Sequence, residues 1–265
     1  MMKGMRGVLT SVNNVTIYES MIKYMGRDTT YILYMHAKPI KYGIKVFAFC
    51  CTIYTIIIGF KVYVGQEDDS DKTALVICDD LVKEAGITSA RGRTLYIDNY
   101  YISMALAKNM FNKYGWTMFG TILPTDKKSR SDHDIPFLQL SNVSRNGLKQ
   151  GWYRKAVINL KTLTSKAYYI QCTTLRDKKQ LCFLSPNEVG YTEEMTGKRH
   201  NKKKKKQEII SGPRTQRDYV TYFNAVDNND HDISFYSTTI QKICYYLIIF
   251  CCALDCIVHT LFVVV

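Results

Sequence analysis

Asp98 is the residue whose type and position most directly suggest chemistry. It closes a β-rich run, Thr94 to Ile97, in the stretch TLYIDNYYISMALAKNMF. A strand end projects its side chain into the crevice beyond the sheet, where a carboxylate can hold a hard cation such as Mg²⁺. The same position also suits a turn or a helix cap, and a helical pattern follows at once, with Ala105, Leu106 and Met110 on one side. The second kind of chemistry is cationic. Lys202, Lys203, Lys204, Lys205 and Lys206, with Lys198 and Arg199 before them, could contact phosphates or act as a nuclear-localisation signal; the plain alternative is a solvated loop. Lys41, Lys45, Lys127, Lys128 and Arg130 are further candidates for a nucleic-acid backbone. Asp132-His133-Asp134 reads as a solvated loop before it reads as a metal site.

Composition narrows the partners. The 265 residues carry 36 Lys and Arg against 23 Asp and Glu, a net charge of +13. That balance favours a polyanion such as DNA, or an anionic membrane surface. The nine cysteines include no CxxC pair, so no zinc site is written in the sequence. Their odd number and apolar surroundings suit reduced, buried thiols of an intracellular protein. The first residues, MMKGMRGVLTSVNN, lack the apolar core of a cleavable signal.

The elements that must position these groups follow from periodicity. Residues 12–17 read as a short strand. Residues 45–49 and 53–64 read as two more, the second apolar enough for burial on both faces. Residues 73–85 have helical spacing, with Leu75, Val76, Leu81 and Val82 on the apolar side. Residues 118–124, 157–175 and 181–185 read as strands, and 125–151 as loop. Residues 186–217 read as a basic, flexible insert. Residues 243–265 form an apolar tail without Lys or Arg, long enough for a membrane span. Asp255 in its middle opposes insertion by roughly 2.5–3.5 kcal/mol. Composition alone gives an α/β or α+β class.

Five segments in one order resemble the piggyBac-type transposase family and its domesticated derivatives. They are VTIYESMIKYMGR (15–27), HAKPIKYGIKVFAFC with GFKVYVG (36–50 and 59–65), the Asp98 stretch, RDKKQLCFLS (176–185) and DYVTYFNAVDNNDHDISFYS (218–237). The resemblance covers almost the whole of residues 1–265. It implies an α/β, ribonuclease H-like mixed sheet with flanking helices, to which this chain adds the basic insert and an apolar C-terminal helix over 240–265. It also implies a metal-dependent DNA strand-transfer enzyme with Mg²⁺ as cofactor. Three principal aspartates serve that chemistry, with a fourth near the last. The match carries the second onto Asp98 and the third onto Asp227, with Asp230 beside it. A spacing of three lets Asp227 and Asp230 share a face if that segment is helical.

The first aspartate is missing. Where the family reads aspartate-glutamate-(Ser/Gln), this chain reads Tyr18-Glu19-Ser20. A neutral phenol of pKa about 10 is a poor Mg²⁺ ligand. Glu19, adjacent on a strand, faces the other way and does not replace it. The resemblance further implies that the family's N-terminal DNA-binding region and cysteine-rich zinc-binding tail are absent. The expectation is a nuclear, transposase-derived chain, impaired in catalysis, binding DNA weakly and without sequence preference, with a homodimer as a further possibility. Its rivals are a domesticated, non-catalytic nuclear binding module and a membrane-tethered protein anchored by 243–265. The resemblance favours a buried helix for that tail, because the motifs run directly into it.

Overall fold

The computed structural model describes residues 13–26, 30–36, 38–63, 74–87, 92–122, 151–160, 168–177, 180–187, 194–201, 206–238 and 244–264. The chain divides into two units, residues 1–96 with 222–265, and residues 97–221. The first begins with β1 (Asn14–Lys23), β2 (Leu33–Tyr34), β3 (Tyr42–Cys51), β4 (Ile56–Val62) and α1 (Ala74–Glu84). β5 (Thr94–Ile97) lies at the division. The second holds α2 (Met104–Tyr114), β6 (Thr117–Ile122), β7 (Tyr153–Leu160), β8 (Tyr168–Arg176), β9 (Gln180–Pro186), β10 (Glu194–Asn201) and β11 (Lys206–Pro213). α3 (Arg214–Phe223) crosses back, and α4 (Ala225–Ser234) and α5 (Tyr245–Val264) return to the first unit.

In the first unit the strand order is β2-β3-β1-β5, and β4 also pairs with β3. β1 and β3 are antiparallel, with Tyr18 opposite Ala48, Glu19 opposite Phe47 and Ser20 opposite Val46. Alternation then sorts the side chains. Tyr18, Ser20 and Ile22 share one face with Ala48, Val46 and Ile44; Glu19 and Phe47 take the other. Helices cover the first of these faces. Ile22, Tyr24, Ile44 and Val46 pack with Ile248 of α5. Ala48 and Cys50 pack with Ala225 and Val226 of α4, with Tyr18 and Ile57 against them.

In the second unit the order is β6-β9-β8-β7, antiparallel throughout. Trp116, Met118 and Phe119 are buried. The Tyr168 ring stacks on Phe111 at 4.3 Å while its hydroxyl accepts from the Met118 N–H. α2 starts at Ser103, whose Oγ accepts from the Leu106 N–H, and ends at Gly115 with φ 67°. That left-handed turn is one glycine adopts without a Cβ penalty.

Four sequence expectations are corrected. β1 does not stop near residue 17; it continues to Lys23, held by pairing with β3 as far as Gly43. β4 is not buried on both faces: Ile56 and Ile58 are buried, while residues from Gly59 to Val62 are half-buried. The insert expected to be flexible contains β10 and β11, paired antiparallel from Glu194 opposite Pro213 to Asn201 opposite Lys206. Backbone pairing across a short connection needs little apolar surface, so a lysine-rich composition hides it. The apolar tail does form a helix, α5, but only one side is buried. Ile248, Cys251, Asp255, Cys256 and His259 face inward, whereas Tyr246, Phe250, Leu254, Val258 and Phe262 are exposed. The helix is long and apolar enough to cross a membrane by length and composition.

All nine cysteines are free thiols, seven of them buried. Burial pushes the Cys78 thiol up to about 12, aided by Asp79. A thiol so raised is a poor nucleophile and metal ligand at neutral pH.

Candidate carboxylate site

The late aspartates sit on α4. Its helical geometry puts Asp227 and Asp230 on one side, as a spacing of three requires. Ser20 of β1 donates to Asp230 Oδ2 at 2.7 Å, tying strand to helix. Burial pushes the Asp230 carboxyl up to about 6; the Ser20 hydrogen bond opposes the rise, Asp227 adds to it, and the Lys38 ammonium opposes it. Asp227 is half-exposed, and its Oδ1 lies 3.9 Å from Lys38 Nζ. Asn229, between them in sequence, is buried and donates to the Thr55 carbonyl at 2.6 Å.

Tyr18 takes the place where the resemblance puts the first aspartate. Its ring meets Phe223 edge-on at 5.1 Å and packs against the cluster around Ala48 and Val226. Lys38 Nζ stands 3.8 Å above the centre of that ring and donates to the Glu19 carbonyl at 2.5 Å. Glu19 itself points to the opposite face, where its carboxylate pairs with Lys45 at 2.7 Å. That is the outcome strand alternation dictates, and it also commits Lys45, whose ammonium lies over Phe47 and Tyr63 as well.

Asp98 belongs to the second unit. Its Oδ1 accepts from the Asn99 N–H at 2.6 Å and from Thr121 Oγ1 of β6 at 3.4 Å. Its carbonyl accepts from the N–H groups of Tyr101 and Ile102. Asp98 thus builds the turn after β5, and Ser103, not Asp98, caps α2. The Tyr219 hydroxyl of α3 reaches Thr121 Oγ1 and the Ile97 carbonyl, both at 3.5 Å.

These side chains do not fit a divalent ion as they stand. Tyr18 offers a ring instead of a carboxylate, and the Lys38 ammonium already faces Asp227. Among the described residues no group of three or more His, Cys, Asp or Glu is placed to hold a metal. Lys41 is exposed ahead of β3, and Lys206 opens β11. Lys127, Lys128, Arg130 and Lys202 to Lys205 lie outside the described residues, as does Asp132-His133-Asp134.

Sequence reasoning missed two members of the site. Ser20 was legible in principle, being two residues from Tyr18 on the same strand. Lys38 was not: it reaches Tyr18 from the turn between β2 and β3, and no spacing announces that.

The comparisons agree with this architecture. No curated protein matches the chain. A solved structure, the cryo-EM structure of a piggyBac transposase synaptic complex with hairpin DNA, superposes with a TM-score of 0.71 at 20% identity. It covers 95% of this chain, which spans 46% of that one. The likeness places the mixed sheet and its helices in a ribonuclease H-like α/β fold. The Transposase IS4 family matches residues 1–259. The chain therefore belongs to that family, as a piggyBac-type DDE transposase domain.

Proposed function

We propose that this chain is a transposase-derived nuclear protein that binds DNA through backbone electrostatics and does not carry out strand transfer. The single observation carrying the reading is Tyr18. At the first carboxylate's place on β1, an aromatic ring packs on Phe223 with an ammonium over it. The resemblance makes Asp98, Asp227 and Asp230 the remaining members of the family's carboxylate set, Asp98 in the turn after β5 and Asp227 with Asp230 on α4. In-line phosphoryl chemistry with two metal ions depends on all its carboxylates for charge and geometry, and loss of one positioning group commonly costs orders of magnitude in rate. DNA as partner is supported by the net charge of +13 and by the likeness to a transposase solved with hairpin DNA.

The test pairs binding with cleavage. Fluorescence anisotropy on duplex and hairpin DNA should show binding, and gel assays with Mg²⁺ or Mn²⁺ should show no nicking. Metal-dependent nicking that disappears in Asp98→Ala would establish an active enzyme and overturn the impaired reading. Absence of DNA binding at low salt would leave a binding module for some other partner.

A further inference from the structure

We propose that the Lys38 ammonium is the resident cation of the Asp227–Asp230 pair, standing where a divalent ion would have to bind and excluding it. The inference rests on reading Tyr18 as the first-carboxylate position and is independent of DNA binding. Nζ meets the Glu19 carbonyl at 2.5 Å, the Tyr18 ring at 3.8 Å and Asp227 Oδ1 at 3.9 Å. The backbone that presents it is also pinned. The Lys38 N–H donates to the Met35 carbonyl, and the Met35 N–H donates to the Lys41 carbonyl, closing the turn. Pro39 narrows the backbone choices of the residue before it. The Lys38 side chain is only 14% exposed, so its charge is poorly screened.

Tyr18 and Lys38 suit each other. An aromatic face attracts an ammonium through its quadrupole without needing a counter-charge. A dication bound to Asp227 at an ordinary ligand distance of about 2 Å would lie within a few ångströms of Nζ. At that range like charges repel strongly in a partly buried setting. Restoring a carboxylate at position 18 is therefore not enough: the ammonium would pair with it. Metal binding returns only when the charge at position 38 is removed as well.

Calorimetric titration with Mg²⁺ and Mn²⁺ separates the outcomes, using the full chain in three forms. The wild type and Tyr18→Asp should bind neither ion measurably. Tyr18→Asp combined with Lys38→Met, which keeps the side chain's bulk, should bind at least about tenfold tighter than Tyr18→Asp alone. Equal affinity in Tyr18→Asp and the double variant would overturn the proposal, as would binding by the wild type or a folded double variant that binds nothing. A second measurement avoids the question of folding. In the wild type the Lys38 ε-methylene protons should resonate upfield of free lysine because of the Tyr18 ring current, unmoved by Mg²⁺ and lost in Tyr18→Leu. Ordinary lysine shifts would overturn the proposal. Either failure leaves the DNA-binding reading standing, because that reading is decided by anisotropy on the unmodified chain.

Discussion

A carboxyl whose titration is raised to about 6 remains mostly ionised at neutral pH, and Asp230 is such a group, steadied by Ser20 and Lys38. The sign of its effect on stability follows from proton linkage. Between the ordinary aspartate range and about 6, the folded chain binds the proton and the unfolded chain does not. The contribution is therefore fully present below about pH 4 and is lost as pH rises through about 6, a change on the order of 2–3 kcal/mol. Asp230→Asn keeps an acceptor for Ser20 and removes the buried charge. It should flatten that pH dependence and stabilise the fold at pH 7 by about 1–2 kcal/mol, as read by urea unfolding at several pH values. An unchanged pH profile in the variant would show that Asp230 is not the titrating group. Lys38 belongs to the same scale: one side chain from a turn supplies the positive charge that the neighbouring acids face.

Elements position these residues through close backbone approach and one-sided helix packing. A Cβ at Gly120 of β6 would stand 2.6 Å from the Ile97 carbonyl oxygen and 2.7 Å from Ile102 Cδ1. Gly120→Ala should destabilise the fold by about 1–3 kcal/mol through overpacking, measurable as a lowered melting temperature. Helix α5 gives a contrast between its two sides. Asp255 accepts from the Thr238 N–H at 3.1 Å, from Thr238 Oγ1 at 2.8 Å and from Ser237 Oγ at 3.0 Å. Asp255→Ala leaves those donors without their acceptor and should cost about 2–4 kcal/mol, whereas the exposed Phe250→Gln should change stability by no more than about 0.5 kcal/mol. Equal effects would mean that α5 does not dock through its polar side. The sequence made β3, α1, β5, α2 and α5 legible because each carries a clear period or a run of β-branched residues. The β10–β11 hairpin was hidden because its lysines, serine and glycines look like loop and its pairing is backbone-made. The shared helical side of Asp227 and Asp230 was legible from their spacing, and the direction of Glu19 from strand alternation. Lys38 was opaque because its partners are set by tertiary folding alone.

For the whole molecule, the net charge of +13 governs association with polyanions. Phosphate contacts release condensed counterions, so affinity for DNA should fall roughly linearly on a log–log scale with salt and differ little between sequences. Anisotropy titrations from about 50 to 200 mM salt should lose at least tenfold in affinity; a flat dependence would remove the electrostatic reading. If the Lys38 ammonium over Tyr18 and beside Asp227 takes the place of a divalent ion, Mn²⁺ has no site there. Paramagnetic relaxation in the unmodified protein decides this, because Mn²⁺ broadens the amide signals of any residues it binds. Mn²⁺ should leave the signals of Tyr18, Ser20, Asp227 and Asp230 sharp at concentrations that saturate ordinary carboxylate metal sites. Selective broadening of those signals, reversed by Mg²⁺, would contradict it.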